Sequence, residues 1–305
     1  MSLDNPTFAE RLAWRLEVAA FDLAAGLLRL APVDAASNFG AALLRRLGPL
    51  TPTDRTIRRN LELAFPEKSL EERERIRIGA WENFGRFAAE FVMLDRLTPA
   101  TGRVEVVGIE RLTAIAEGGA PTLMISGHFS NFEIMASAII SAGVRCQVSY
   151  RPANNPYFND RIVRARASYG VTSLAPKGAG GARGIMRALS RGESVAMLID
   201  QKFNAGVASP FFGHLAHTSP GPVRLARRYG GTVTPLAVRR LKGARFQVTV
   251  YEPIVMTDTG NDEADTEAGV RQLNLFLEDR IRERPEEYFW AHRRWPKSMY
   301  KPGTP

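Results

Sequence analysis

Hydrophobic and polar residues alternate with a helical period over the first hundred residues of the chain. This spacing predicts three helices, over 11–31, 34–48 and 51–65. Ser69 and Glu72 then form a capping box, which is typical of a helix start and opens a fourth helix that reaches about Leu94. We therefore expect residues 1–100 to form a helical segment.

From about residue 101, short β-prone runs alternate with helical stretches. The predicted strands lie near 103–107, 121–126, 145–150, 171–174, 194–199, 232–238 and 245–251. The predicted helices lie near 132–142, 156–169, 179–191, 220–229 and 266–283. Such alternation predicts an α/β fold with a mostly parallel central sheet and helices on both faces. We expect 101–305 to be the catalytic domain, continuous with 1–100 as one structural unit.

The stretch PTLMISGHFSNFE (121–133) places a histidine directly after a predicted buried strand. In open α/β sheets, active sites gather at the carboxyl ends of the strands. Ser130 or Asn131 is positioned to cap the next helix, with Glu133 in its first turns. We expect Glu133 to bind one imidazole nitrogen of His128 and to leave the other nitrogen as a base. A structural pair that only ties the loop to the helix is the alternative interpretation.

The amino-acid composition limits the disulfides, metal sites and partners that the sequence predicts. A single cysteine excludes an intramolecular disulfide, and one cysteine with four scattered histidines predicts neither a structural metal nor a metal cofactor. The net charge of +9 favours acidic partners: nucleic acid, an anionic membrane or an acidic carrier protein. Because the basic residues are spread along the helices and not clustered with aromatic residues, a nucleic-acid partner is not expected.

Residues 11–32 are the best candidate for membrane contact. No run of about 18 uncharged apolar residues exists, so no transmembrane helix is predicted, and no secretory signal is evident. On a helical wheel one narrow face carries Arg11, Arg15, Asp22 and Arg29, and a broad apolar arc includes Leu12, Leu16, Leu23, Leu27 and Leu30. This pattern is typical of a helix in the membrane interface. It equally fits a helix that packs on the core of its own domain.

Several motifs in one order resemble a known family. SGHFSNFE resembles the H-x4-D/E signature of glycerolipid acyltransferases, and the form with Glu resembles the late acyltransferases of lipid A biosynthesis, the lauroyl and myristoyl transferases. Further landmarks of that family are matched by RRNLELAFP (58–66), YRPANNPYFNDRI (150–162), LIDQ (198–201), PFFGHLAHTSPGPVRLARRYG (210–230) and EEYFWAHRRWP (286–296). The resemblance covers nearly the whole chain.

The resemblance implies transfer of a fatty acyl group from a thioester to a lipid hydroxyl. His128 would be the general base and Glu133 would orient it. Backbone N–H groups near Ser130 and Asn131, or an arginine, would stabilise the tetrahedral intermediate. The expected partners are acyl carrier protein as donor, a phosphorylated glycolipid (a lipid A precursor) as acceptor, and an anionic membrane surface. The expected location is the cytoplasmic face of the bacterial inner membrane, with peripheral attachment.

Other residues of the matched motifs are expected to bind substrate. Arg151 suits a substrate phosphate or the phosphopantetheine of a carrier. Asp200 could hold Arg151 or His128, or contact the acceptor sugar. Arg293 and Arg294, flanked by tryptophans, could meet anionic lipid headgroups or could form a packed C-terminal cap.

Two alternative functions remain open at this point. The first keeps the reaction but changes the acceptor to another glycolipid, an aminolipid or a lysophospholipid. The second is hydrolysis of the thioester; the chain has no G-x-S-x-G nucleophile elbow, although water could compete for the acyl group when no acceptor is bound.

Overall fold

A computed structural model describes residues 6–118, 120–176 and 179–301. Its α-helices are α1 (Phe8–Leu30), α2 (Val33–Leu47), α3 (Thr53–Ala64), α4 (Leu70–Glu90), α5 (Ile109–Gly118), α6 (Glu133–Ser141), α7 (Pro156–Ala167), α8 (Ala179–Ser190), α9 (Gly221–Tyr229) and α10 (Asp262–Glu283). Its strands are β1 (Val104–Val107), β2 (Leu123–Ser126), β3 (Cys146–Tyr150), β4 (Leu174–Pro176), β5 (Ser194–Leu198), β6 (Val207–Phe211), β7 (His214–Thr218), β8 (Thr232–Arg240), β9 (Phe246–Val250) and β10 (Ile254–Val255).

The helical N-terminal segment forms as the sequence predicts. The capping box at the start of α4 is confirmed: the Ser69 hydroxyl accepts from the Glu72 amide, and the Glu72 carboxylate accepts from the Ser69 amide. Helices α2 and α4 pack closely because both carry glycine at their crossing. A Cβ added at Gly40 would lie 2.2 Å from the carbonyl oxygen of Gly85, so this crossing needs residues without side chains.

The central sheet has the strand order β1-β9-β8-β2-β5-β3-β4, with β10 beside β8. All neighbours along this order are parallel except β8 and β9, and β10 is also antiparallel to β8. The predicted α/β class with a mostly parallel sheet is therefore confirmed. Strands β2, β5 and β3 lie at the centre, so their carboxyl ends meet at one edge, where His128, Asp200 and Arg151 follow them.

Three features differ from the predicted elements. Strand β4 begins at Leu174, three residues after the predicted start near 171. Helix α5 was not predicted. Strands β6 and β7 form an unpredicted two-stranded hairpin, whose turn places Phe212 at φ 50° and Gly213 at φ 76°. Turns with two positive φ angles match the twist of a hairpin, and their first position is usually Asn, Asp or Gly. Because Phe212 occupies that position here, the sequence did not indicate the turn.

The polar face of α1 is turned toward the protein and its leucines point outward. Arg29 forms an ion pair with Asp95 at 2.8 Å, and Asp22 forms one with Arg161 of α7 at 2.6 Å. Only Val18 of this helix is buried. The predicted apolar arc is exposed, with Leu12, Leu16, Leu23, Leu27 and Leu30 between 48% and 84% accessible. Within the described ranges, no helix is both long and apolar enough to cross a bilayer.

Candidate active site

The loop after β2 begins at Gly127, where the side chain of any other residue would force neighbouring side chains to move. A Cβ at Gly127 would lie 2.8 Å from the ring of Phe129 and 3.0 Å from Leu277. Strand β2 is buried along its whole length, and the chain leaves the core at this glycine. His128 therefore emerges at the carboxyl end of a central strand, as the sequence predicts.

Asp200 holds His128 through two contacts. The Asp200 carboxylate lies 2.7 Å from Nδ1 of His128 through one oxygen, and its other oxygen accepts from the His128 amide at 2.9 Å. The residues meet because β2 and β5 are adjacent and parallel, so that the loops after them share one edge of the sheet. The side chains are 11% and 1% accessible. Of the contacts considered for Asp200 from the sequence, the structure contains the one to His128.

The charge on Asp200 fixes the role of each imidazole nitrogen. Burial alone would raise the pKa of this carboxyl, but the charge and hydrogen bonds of His128 hold it well below its ordinary value. An ionised carboxylate only accepts hydrogen bonds, so Nδ1 of His128 carries the proton. In the uncharged imidazole, Nε2 is then the nitrogen with a free lone pair, which is the state that a general base requires, whereas the charge that lowers the pKa of Asp200 belongs to the protonated imidazole.

Glu133 does not bind His128, contrary to the sequence-based expectation. Its carboxylate accepts from Arg166 at 2.6 and 2.9 Å and from the Tyr169 hydroxyl at 3.0 Å. Burial and the neighbouring carboxylate raise the pKa of Tyr169, so the phenol stays protonated and donates. Glu133 does begin α6, as predicted, but the first turn points its side chain toward α7 and its carboxylate is neutralised there.

Ser130 and Asn131 anchor the loop and do not cap α6. The cap position is Phe132, without a side-chain hydrogen bond. Ser130 adopts φ 45° and donates its backbone N–H to the Glu287 carbonyl at 2.7 Å, so this N–H is not available to an oxyanion. The Asn131 amide donates to Glu90 at 2.9 Å. The predicted capping role is therefore wrong.

The buried carboxylate of Glu90 holds the loop that follows β2 in place. It is fully inaccessible and pairs with the Arg240 guanidinium at 2.5 and 3.0 Å. Its carboxylate also accepts from the Ser37 hydroxyl at 2.6 Å. Because a buried carboxylate needs a counter-charge and several donors, the end of α4, the end of β8 and the active-site loop are held in one arrangement.

A cavity of about 490 Å³ opens beside His128. Its apolar wall is formed by Phe21, Phe84, Phe87, Phe91, Phe132, Phe158 and Ile162. Its polar lining includes His128, Glu133, Arg151, Arg166 and Gln201. Apolar walls with a few convergent polar groups are typical of a site for a small organic or lipid-like ligand.

Arg151 and the arginines of the C-terminal box lie in different environments. Arg151 follows β3, is exposed and lines the cavity, as expected for a substrate contact. Arg293 is exposed and packs over Tyr300. Arg294 is 2% accessible and donates to the Thr218 hydroxyl at 2.6 Å and to the His217 carbonyl at 3.1 Å. Arg294 therefore ties the β6–β7 hairpin to the C-terminus and is not placed to meet a headgroup.

Three residues near the site were missed from the sequence. Arg166 and Tyr169 lie in and just after α7, and only their distance in sequence from Glu133 hid them. His292 packs edge-on against His128, with ring centroids 5.4 Å apart, and its Nε2 lies 3.2 Å from the Gln201 amide. Its position in the C-terminal W-x-H-R-R box was the available signal.

A cysteine nucleophile and a metal ion are two other catalytic groups that the described residues do not provide. Burial raises the pKa of Cys146 to about 12, so this thiol is not a nucleophile at neutral pH. Among the described residues, no group of three or more His, Cys, Asp or Glu side chains is arranged to hold a metal ion.

The site combines a largely buried His–Asp pair with a largely apolar cavity of about 490 Å³. Residues 17–297 match the family of bacterial lipid A biosynthesis acyltransferases, so the chain belongs to that family and the protein is an acyltransferase. It is 29% identical over 247 residues to the lipid A biosynthesis lauroyltransferase of Escherichia coli (strain K12), covering 78% of each chain. It is 27% identical over 243 residues to the palmitoleoyltransferase of the same organism, covering 78% of this chain and 77% of the relative. A Haemophilus influenzae lipid A biosynthesis acyltransferase is 27% identical over 247 residues, covering 78% and 76%.

Proposed function

We propose that the protein transfers a fatty acyl group from the thioester of an acyl carrier protein to a hydroxyl of a lipid A precursor, with His128 as the general base. The observation that carries this proposal is the His128–Asp200 pair, whose histidine lines a largely apolar cavity. Family membership supports the acyl transfer and the lipid A type of acceptor. The basic net charge of +9 supports an acidic carrier as the donor.

The proton path follows from the tautomer of His128. Nε2 takes the proton of the acceptor hydroxyl as its oxygen attacks the thioester carbonyl, and Asp200 stabilises the imidazolium that forms. The tetrahedral intermediate then collapses, the carbon–sulfur bond breaks, and the imidazolium returns the proton to the leaving thiolate. The new ester and the free carrier thiol are the products.

Arg166, which lines the cavity together with Arg151, is our candidate for stabilising the charge of the intermediate. Two of its guanidinium nitrogens bind Glu133, while Nη1 is buried without a partner among the described residues and belongs to a cavity-lining side chain. A donor held in place before the reaction stabilises a developing oxyanion without reorganisation. In this proposal Glu133 is a positioning residue that acts through Arg166. It does not orient His128.

The apolar and polar parts of the cavity lining would bind different parts of the substrates. The phenylalanine-rich wall suits the hydrocarbon chain, and the exposed guanidinium of Arg151 suits a phosphate at the cavity mouth. That phosphate belongs to the carrier's phosphopantetheine or to the acceptor.

The first experiment is an acceptor panel with one labelled donor. Purified wild-type protein is incubated with acyl carrier protein carrying a labelled fatty acyl chain and with a lipid A precursor, a lysophospholipid or no lipid. We expect label on the lipid A precursor and release of free fatty acid that is slower than this transfer. Label on the lysophospholipid alone would assign a different acceptor, and equal thioester cleavage with and without lipid would identify a hydrolase.

We further propose that α1 attaches the enzyme peripherally to the cytoplasmic face of the inner membrane. Its leucines are exposed, while Asp22 and Arg29 on its charged face form ion pairs with the rest of the protein; such an exposed apolar face is unfavourable in water and favourable at a bilayer surface. Phe21 of the same helix lines the cavity. A lipid acceptor could therefore pass from the bilayer into the site along α1.

Replacing Leu16, Leu23 and Leu27 together by glutamate should weaken binding to anionic phospholipid vesicles at least tenfold, because each buried leucine contributes roughly 1.5–3 kcal/mol. The measurement is co-sedimentation with vesicles. A matched control carries glutamate at three exposed apolar positions outside α1, namely Leu70, Val255 and Leu275. Equal binding by the two triple variants would exclude α1 as the attachment surface.

A further inference from the structure

The C-terminal W-x-H-R-R box is docked on the catalytic histidine. The Phe289 amide donates to the His128 carbonyl at 3.1 Å, and the His292 ring packs against the His128 ring. Asn60 of α3 fixes the box from the other side, since its amide donates to the carbonyls of Trp290 and His292 at 2.6 and 2.7 Å. A turn this firmly anchored presents His292 at a defined place beside the base.

Gln201 connects this second histidine to the cavity. It follows Asp200 directly, and its side chain lines the cavity. The amide of Gln201 lies 3.2 Å from Nε2 of His292. An amide has both a donor and an acceptor end, and a fixed partner decides which way it turns. The contact with His292 therefore contributes to the orientation of the Gln201 amide at the cavity.

The polar side chains that line the cavity include an ion pair, a cation and a neutral amide. These groups suit ligands of different charge. Glu133 and Arg166 neutralise each other, and Arg151 is a cation suited to phosphate. Gln201 is a neutral amide among these lining residues, and it is adjacent in sequence to the carboxylate that holds His128. Neutral amide and imidazole groups recognise uncharged hydroxyl and amide groups, which are the polar groups of a sugar headgroup.

We propose that Gln201 and His292 form a subsite for the uncharged polar head of the acceptor lipid. Gln201 hydrogen-bonds a hydroxyl or amide next to the attacking hydroxyl, and His292 is a positioning residue that holds Gln201 in the required orientation. This inference rests on the proposed acyl transfer. It adds the residues that select the acceptor.

The test separates the acceptor from the donor by steady-state kinetics. Transfer is measured for Gln201→Ala, His292→Ala and the double variant, with a purified lipid A precursor and an acyl carrier protein thioester each varied in turn. We expect the acceptor KM to rise about tenfold in each single variant, as the loss of one hydrogen bond implies, with the donor KM unchanged. The double variant should be no worse than the worse single variant, because the pair acts as a unit.

Two further variants keep the outcome interpretable. Lys297→Ala, at an exposed position of the same C-terminal segment, should match the wild type. His292→Gln, which retains a hydrogen-bonding partner for Gln201, should recover part of the acceptor affinity. An unchanged acceptor KM in Gln201→Ala, or equal rises in both KM values, would overturn the subsite while leaving the acyl transfer intact. A wild-type protein that labels no lipid would count against the transfer itself and the subsite with it.

Discussion

Replacing His128 by alanine should lower the rate of acyl transfer by about 10²–10⁴-fold, the range that a general base typically contributes. A lipid hydroxyl is a weak nucleophile at neutral pH, and in the proposed mechanism His128, which lines the cavity, is the base that takes its proton. The His128 side chain is only 11% accessible, and its removal takes a partner from the buried Asp200 carboxylate, so the variant should also lose stability and the rate is expressed per folded molecule. The loss should appear in kcat, with the donor KM little changed.

A matched histidine control is available in the same chain. His214 begins β7 and packs on Trp295, with ring centroids 6.3 Å apart. His214→Ala should keep near-normal transfer, so that a loss in His128→Ala cannot be attributed to removing an imidazole in general. Thermal unfolding of both variants beside the wild type shows whether they are equally folded. Transfer by folded His128→Ala at the wild-type rate would remove the base from the proposed mechanism.

The sequence was sufficient for the features that depend on local pattern. The capping box at Ser69 and Glu72, the apolar run of β2 and the position of His128 after it are each determined by a few neighbouring residues. The amphipathic pattern of residues 11–32 was also visible. The face that packs on the protein could not be predicted, because a helical wheel shows two faces without showing which one is buried. In the structure, the face with Asp22 and Arg29 contacts the protein.

The partner of His128 could not be predicted from local spacing. Glu133 is five residues away and Asp200 is seventy-two, yet the contact is made by Asp200. The strand that follows β2 in the chain is β3, whereas the neighbours of β2 in the sheet are β5 and β8. Strand order therefore decides which loops meet at the edge. Arg294 shows the same limit, since the tryptophan-rich box allowed either a headgroup contact or a packed cap, and only the position of the β6–β7 hairpin decides for the packed cap.

Asp200→Asn and Glu133→Gln should separate the two carboxylates by the kind of defect each produces. Without the Asp200 charge, the imidazolium loses its counter-ion and an asparagine amide can select the wrong tautomer. Transfer should therefore fall about 10²–10⁴-fold in Asp200→Asn. Glu133→Gln leaves the guanidinium of Arg166 buried without a counter-charge, at a cost of about 3–5 kcal/mol in the free energy of unfolding. Its transfer rate per folded molecule should fall less than that of Asp200→Asn.

The defect of Asp200→Asn also has an expected dependence on pH. The pKa of Asp200 is lowered in the folded protein, so its carboxylate stabilises the fold above the unfolded-state pKa of about 3.9, and this contribution is lost as the pH falls further. The stability difference between wild type and Asp200→Asn should hence be largest near neutral pH and shrink on acidification below about pH 4. Chemical unfolding at several pH values, combined with transfer rates corrected for the folded fraction, measures both effects. If folded Glu133→Gln proved the more defective enzyme and Asp200→Asn retained normal rates, the carboxylate that serves the base would be Glu133, and the contact between Asp200 and His128 would be structural only.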